Sequence, residues 1–449
     1  MISVATAGAL PLADESVHCV VTSPPYWALR QYEGIEGPQL GNERTPEEFI
    51  DNLILIFREI RRVVRPDGVC WVNLGDTYGG SGNQGVNGQR SDRRFTAPNY
   101  QRKTGGSLKS GDLAGIPWMF ALAAREDGWF LRSDTIWAKP NPMPETLNGW
   151  RWERCRVKVS GGWKPGEHPR GSPAGKSRSQ SFGTNSNAKP PVSSVVWAPC
   201  LGCGRCEKNG GLVLRRGRWR PTNGKEYLFL LTKSKIYFGN REAVAEPVSP
   251  KTHSRGRGVN PKAGDRHLSG RQNPSFSAAV RLPVDSRNPR DVWAISTEPS
   301  SLEHFATFPK ALVRRALSSS APEKVCGICG DPYAPFVDRQ EPKAGVLLPT
   351  CACNAPPRSG LVMDPFAGSG TTGVVAKQMG LRFIGFDLSI QYAQMAKERL
   401  AEYDPAAVLR DGGRLAPING PLFEVQKGFP GASGPNHQPS DNRKEILPM

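Results

Sequence analysis

The stretch "LVMDPFAGSGTTGVVAKQMGLRFIGFDLSIQYAQMAKERL", residues 361–400, constrains the fold more than any other part of this 449-residue chain. An apolar strand runs into Asp364, Pro365 and Phe366. A loop of small residues, Ala367, Gly368, Ser369, Gly370, Thr371 and Thr372, then opens a helix. A second strand, "RFIGFD", ends at Asp387, and another helix follows. Strand, helix and strand in this order predict a βαβ unit of a parallel sheet, with a ligand site at the carboxyl ends of the strands. Glycines let the backbone approach that ligand closely. An acidic residue at the tip of the second strand can accept both hydroxyls of a ribose. The loop lacks the Lys of a triphosphate-binding loop, which argues against that ligand.

A second strand end carries different chemistry. In "VVTSPPYWALRQY", residues 20–32, Val20, Val21 and Thr22 read as the end of a strand. Pro24 and Pro25 have fixed φ and no N–H, so neither a sheet ladder nor a helix interior holds them. The chain must leave the sheet as a stiff loop carrying the Ser23 hydroxyl, the Pro24 carbonyl and the rings of Tyr26 and Trp27. Downstream, "TPEEFIDNLILIFREIRRVVRPDG" predicts a helix. Thr45 caps it, Pro46 fits its first turn, and Glu47 and Glu48 suit its positive end. Phe49, Leu53, Ile56, Phe57 and Ile60 recur at helical spacing, and Pro66-Asp67-Gly68 is expected to end the helix before the strand "VCWVNLGD". The later segment "KEYLFLLTKSKIYFGN" also reads as strands.

Net charge is +18, and its placement matters more than its size. Between Trp150 and Arg290 stand 28 Lys and Arg against 8 Asp and Glu, so the rest of the chain is close to neutral. A surplus confined to one segment is the footprint of a polyanionic partner, with nucleic acid the foremost case. Residues 79–112, 160–194 and 248–290, and the tail after about 411, are rich in Gly, Pro, Ser and Arg and read as loops. No apolar run of membrane-spanning length occurs, and the first residues do not read as a secretory signal, so a cytoplasmic protein with no membrane partner is expected.

Ten cysteines in a reducing compartment suggest metal rather than disulfides. Cys326 and Cys329, then Cys351 and Cys353, form two short pairs 21 residues apart, the pattern of a structural zinc site. Cys200, Cys203 and Cys206 supply three close ligands. Cys155 is the best fourth, with His168 as rival. Cys19 and Cys70 fall on core strands, where buried thiols are expected.

The two strand-end motifs together resemble those of DNA amino-methyltransferases: "DPFAGSGTT" is similar to their S-adenosylmethionine motif and "TSPPY" to their catalytic motif. The catalytic motif comes first, the basic segment next and the cofactor motif last, which resembles the β class, whose target-recognition region lies between the halves. "RDVWAISTEPSSLEHFATFPKALVRRAL" resembles the family segment that closes over the cofactor, with His304, Phe308 and Pro309 matching. The resemblance implies a doubly wound, Rossmann-like α/β methyltransferase sheet with an inserted basic target-recognition region, which the cysteine spacing predicts to be zinc-stapled. The expected domains are a catalytic half at 1–148 with a mobile loop at 79–112, a partly disordered recognition region at 149–290, a cofactor half at 291–405 with a zinc-ribbon-like insertion at 322–358, and a loose tail at 406–449. Ser23, Pro24, Pro25 and Tyr26 would be catalytic. Asp364 to Thr372, Asp387, His304, Phe308 and Pro309 would hold S-adenosylmethionine. Relatives with Ser at the position of Ser23 are mostly cytosine-N4 enzymes and those with Asp mostly adenine-N6 enzymes. The expected activity is therefore site-specific methylation of N4 of a flipped-out cytosine. Adenine-N6 methylation, a non-catalytic zinc-bearing DNA-binding protein, and an RNA or glutamine-amide substrate are the alternatives. Expected partners are double-stranded DNA, a second copy of the chain and a cognate restriction endonuclease.

Overall fold

A computed structural model describes residues 1–28, 39–79, 108–142, 148–159, 196–248, 286–298, 308–336 and 346–402. His304, His168, most of the loop predicted over 79–112, most of the basic stretches 160–194 and 248–290, and the tail lie outside the described residues. The chain divides into two units, one of residues 1–141 and 224–449, the other of residues 142–223.

The first unit is built around an eight-stranded sheet. Its strands in chain order are β1 (Ile2–Val4), β2 (Val17–Thr22), β3 (Val64–Leu74), β4 (Phe130–Ala138), β5 (Lys225–Thr232), β6 (Val292–Ala294), β7 (Leu361–Asp364) and β8 (Arg382–Asp387). Their spatial order is β1-β8-β7-β2-β3-β5-β4-β6. All neighbours run parallel except β5, which is antiparallel to both β3 and β4. The sheet is therefore mixed. The chain leaves β4, passes through residues 142–223 and comes back at the same edge, where the Lys139 N–H donates to the Gly224 carbonyl at 2.8 Å. A strand that starts where its neighbour ends must run the other way. This also shifts a boundary. The segment expected over 149–290 contains β5, a central strand of the sheet, so the separate unit is shorter, at 142–223.

Both faces of the sheet are covered. Val20, Cys70, Val72 and Leu74 point to one face, under helices α1 (Pro46–Val63) and α2 (Ile116–Glu126). Cys19, Val21, Val69 and Trp71, the alternate positions, point to the other, under α3 (Lys310–Ser320), α4 (Thr371–Gln378) and α5 (Ile390–Glu402). A strand apolar on both sides is what a doubly wound sheet requires, and every residue of β2 is buried. Cys19 and Cys70 are fully buried as expected, and burial pushes both thiols up. In α1 the Thr45 hydroxyl accepts the Glu48 N–H at 3.2 Å, and Phe49, Leu53, Phe57 and Ile60 face the core. The helix ends earlier than the sequence indicates. β3 begins directly at Val64, and Pro66-Asp67-Gly68 forms an irregularity inside the strand, where the pairing with β2 shifts between Val17 and Cys19. Gly68 is needed there, since a Cβ would lie 2.7 Å from Val64 Cγ1.

The second unit is a pair of short antiparallel ladders, Trp150–Arg154 with Leu212–Arg216 and Arg156–Val159 with Val196–Pro199. Among its residues of described burial, Cys206 alone is buried. Among the described residues no helix is long and apolar enough to cross a membrane.

Candidate active site and two cysteine clusters

β7 lies beside β2, parallel to it, with Met363 opposite Val20. The two motifs therefore leave the sheet at the same edge. Asp364 joins them. Its Oδ1 accepts from the Thr22 hydroxyl at 2.7 Å and the Phe366 N–H at 3.1 Å, and its Oδ2 accepts from the Thr372 hydroxyl at 2.8 Å. Asp364 is 2% exposed. Burial pushes its carboxyl up to about 6, against the pull of the bonds from Thr22, Thr372 and Phe366. Its oxygens are turned to the protein, so it holds the two loops together from beneath.

The glycine loop is likewise braced from behind. Arg399 of α5 donates to the Ser369 carbonyl at 3.0 Å, the Ser369 hydroxyl at 3.1 Å and the Thr371 hydroxyl at 3.1 Å. The Ala367 N–H donates to the Phe386 carbonyl at 2.8 Å, and Pro365 is buried. Gly368 and Gly370 take positive φ, +51° and +78°, which favour glycine, and a Cβ on Gly370 would press on Ala396 at 3.0 Å. Half-buried Asp387 fixes the loop through bonds from the Gly368 N–H and the Ser389 N–H, both at 2.9 Å, and burial raises its carboxyl. Of the predicted cofactor residues, then, Asp364, Ser369, Thr371 and Thr372 direct their side chains into the protein. Asp387 and the half-buried Phe366 ring stay near the surface. Pro309 is buried at the start of α3, with Phe308 half-buried against the same core.

In the other loop Pro24 is buried and Ser23, Pro25 and Tyr26 are half-buried. Ser23 Oγ lies 3.3 Å from the Asn73 carbonyl oxygen and 3.5 Å from the Tyr26 hydroxyl. The Tyr26 ring packs on Gly75, where a Cβ would come within 2.6 Å of Cε2, and its hydroxyl reaches Glu226 Oε2 at 2.7 Å. Glu226 is also paired with Lys139. Trp27 is a core residue, 2% exposed, with its indole N–H on the Glu43 carbonyl at 3.1 Å. In the sequence Thr22 reads only as a strand end, and Asn73, Glu226 and Arg399 are not singled out. A charged residue at the head of the apolar run "KEYLFLLT" is the one signal that could have found Glu226.

Each of the two predicted cysteine sets converges. The sulfurs of Cys155, Cys200, Cys203 and Cys206 lie within 4.8 Å of one another, as do those of Cys326, Cys329, Cys351 and Cys353. Cys155 and Cys203 are 3.8 Å apart and Cys203 and Cys206 are 3.6 Å apart. Four thiolates about 2.3 Å from a zinc ion stand about 3.8 Å apart in a tetrahedron, so the set fits that metal. Backbone N–H groups of Arg205 and Cys206 bring the Cys203 thiol down to about 6, and those of Cys329 and Ile328 do the same for Cys326. In each set one thiol is thus lowered towards the thiolate that a metal binds, while burial and the neighbouring thiols push Cys155 and Cys329 up to about 12.

Residues 17–398 match the DNA methylase model of the N6 and N4 methyltransferases, and the chain belongs to that family. It is 30% identical to the Type II methyltransferase M.SmaI of Serratia marcescens, over 87% of this chain and 86% of that protein. It is also 30% identical to the Type II methyltransferase M.Cfr9I of Citrobacter freundii, over 88% of this chain and 84% of that one. It is similar to the solved PvuII DNA methyltransferase (cytosine-N4-specific) at 14% identity, with a TM-score of 0.43, covering 91% of this chain and 89% of that chain. That last likeness is too loose to add to the family assignment. The α/β unit is thus a DNA amino-methyltransferase of the class that acts on cytosine N4 or adenine N6.

Proposed function

We propose that the protein methylates N4 of cytosine within a specific site in double-stranded DNA, with S-adenosylmethionine as methyl donor. The observation that carries this reading is the junction of the two motifs: adjacent parallel strands bring Ser23 and the glycine loop to one edge, bound through Thr22 and Asp364. The glycine loop and Asp387 fit the donor's nucleoside, and the donor supplies an activated sulfonium methyl.

The chain's own task is the amino group. The lone pair of an aromatic amine is delocalised into the ring, and the nitrogen gains positive charge as it attacks. Acceptors on its N–H bonds tighten as that charge develops, which lowers the barrier rather than merely binding substrate. Ser23 Oγ and the Pro24 carbonyl are those acceptors, each strengthening by about 0.5–2 kcal/mol. The two prolines pre-set the loop. The Tyr26 ring offers a face to a base turned out of the duplex. Ser rather than Asp at position 23 favours cytosine, by the resemblance described above.

Each cysteine set would hold one structural zinc through its four thiolates, and the metal would supply stability to the fold rather than chemistry. The unit of residues 142–223 contacts the DNA. It contains 15 Lys and Arg against 4 acidic residues. Its Trp150, Trp152 and Trp219 are exposed, and the Arg216 guanidinium lies 5.0 Å from the Trp150 ring centroid. Cationic groups interleaved with exposed rings suit phosphate contact and base stacking.

The test is methylation of genomic DNA in cells expressing the protein, followed by digestion to nucleosides and mass spectrometry. N4-methylcytosine is expected. N6-methyladenine alone would overturn the base assignment, and no methylated nucleoside at all would overturn the activity. In purified protein, Ser23→Ala should lower kcat by about 10²-fold, with S-adenosylmethionine affinity unchanged.

A further inference from the structure

A serine hydroxyl accepts an amino N–H best when its own hydrogen is engaged elsewhere and both of its lone pairs are open to the substrate. Around Ser23 that condition depends on Tyr26, whose hydroxyl lies 3.5 Å away and could act either way. Glu226 decides it. The Tyr26 hydroxyl is 2.7 Å from Glu226 Oε2 but 3.4 Å from Asn73 Oδ1. A phenol beside a carboxylate gives its one hydrogen to the charged acceptor. Asn73 is fixed as well: its Nδ2 donates to the Tyr227 carbonyl at 3.1 Å, which leaves its oxygen towards Tyr26. The Asn73 carbonyl and the Tyr26 oxygen, both beside Ser23 Oγ, are then both acceptors.

We propose that Glu226, paired with Lys139, is a positioning residue that sets the direction of this hydrogen-bond chain and so presents Ser23 Oγ to the substrate as an acceptor. Glu226 stands near the start of β5, opposite Trp137 of β4, and Lys139 follows β4 directly. Their side chains are 15% and 21% exposed, sheltered enough for the pair to hold its geometry. Lys139 Nζ also lies 4.6 Å from the centre of the Trp137 ring, which limits where it can move. The strand that makes the sheet mixed is thus the one that brings Glu226 to the proline loop. If Glu226 were replaced by a group able to donate, Tyr26 could turn its hydrogen towards Ser23 and compete with the substrate for its two lone pairs.

The inference rests on the proposed methyl transfer, and the experiment separates the two. Wild type, Tyr26→Phe, Glu226→Gln and the double variant are compared for kcat, for KM of S-adenosylmethionine, and for extrusion of a 2-aminopurine placed at the target base. Glu226→Gln should lose about 10²-fold in kcat while KM and the extrusion signal stay near wild type. Tyr26→Phe should lose less, since it removes the hydroxyl that could donate to Ser23 and leaves the Asn73 carbonyl to take the Ser23 hydrogen. The double variant should recover most of what Glu226→Gln loses, because no phenol hydrogen is left to misdirect. Glu226→Gln at the wild-type rate, or a double variant no faster than Glu226→Gln, would overturn the role of Glu226. If Glu226→Gln does not fold, Glu226→Gln combined with Lys139→Met, which removes both charges together, is read in its place; a wild-type rate there would sink the proposal. A wild type that transfers no methyl group would instead remove the function on which the proposal stands.

Discussion

The two tetracysteine sets have the same ligands and opposite surroundings. The set of Cys326, Cys329, Cys351 and Cys353 is fastened to the catalytic sheet. Arg65, beside the first residue of β3, donates to the Cys329 carbonyl at 3.0 Å and pairs with Asp331 at 2.9 Å. His18 of β2 donates from Nε2 to the Gly330 carbonyl at 2.9 Å and accepts the Leu361 N–H, at the foot of β7, on Nδ1 at 3.2 Å. Burial pushes His18 down to about 4, which keeps it neutral and able to bridge in this way. Among the described residues, the backbone bonds at the set of Cys155, Cys200, Cys203 and Cys206 stay within its own unit, with the Cys155 N–H on the Gly211 carbonyl at 2.9 Å and the Cys200 N–H on the Cys155 carbonyl at 3.0 Å. This set closes a unit whose described residues lack an apolar core, and whose large side chains, Trp150, Trp152 and Trp219, are exposed. In the first case metal would stiffen a core that already exists; in the second it would stand in for one. On the proposed function, the same cysteine arithmetic would serve catalysis in one place and DNA contact in the other.

The sharpest way to break this comparison is to remove one set at a time. Cys326→Ser should cost the catalytic unit about 4 kcal/mol or more and abolish S-adenosylmethionine binding, because the strand that carries the glycine loop loses its anchor. Thermal unfolding and calorimetric titration with the cofactor would show it. Cys203→Ser should act differently: DNA affinity at low salt falls on the order of 10²-fold, while cofactor affinity stays within about a factor of two of wild type. The measurements are a DNA-binding titration and the same calorimetry. If both variants lost both ligands alike, the division of labour between the sets would be wrong.

How much of this was legible in the sequence follows the same divide. The cofactor motif, the proline loop, the capped helix and both cysteine sets could be read because each is a local pattern with a local physical cause. Cys155 was correctly placed with Cys200, Cys203 and Cys206 across 44 intervening residues, because few other cysteines remained. What could not be read was anything decided by return topology. β5 belongs to the central sheet because the chain re-enters at Gly224 beside Lys139, and no residue in "KEYLFLLT" announces its neighbours. Asp364 was assigned to the ligand because an acidic strand end suits a nucleoside. Its burial under Thr22 and Thr372 depends on a partner strand more than three hundred residues away in the chain. Arg399 and Glu226 were missed for the same reason.

A last test probes the far end of the strand that the first set anchors. β7 is held at Leu361 through His18 and at Asp364 through Thr22 and Thr372. Burial raises the Asp364 carboxyl from an ordinary 3.8 to about 6. The folded protein therefore binds this proton more tightly than the unfolded chain between those values. Stability from this group is present in full below about pH 4 and is lost as pH rises through about 6, on the order of 3 kcal/mol in all. Asp364→Asn lacks the titration but can keep the bonds. Its oxygen accepts from Thr22 and Phe366, and its amide donates to Thr372, whose hydroxyl turns to the Val21 carbonyl 3.3 Å away. The variant should thus gain on wild type in unfolding free energy as pH rises from about 4 to 7, read by urea titration at several pH values. Parallel curves for the two proteins would mean that Asp364 is not the buried bolt between the loops, and that the first cysteine set holds β7 alone.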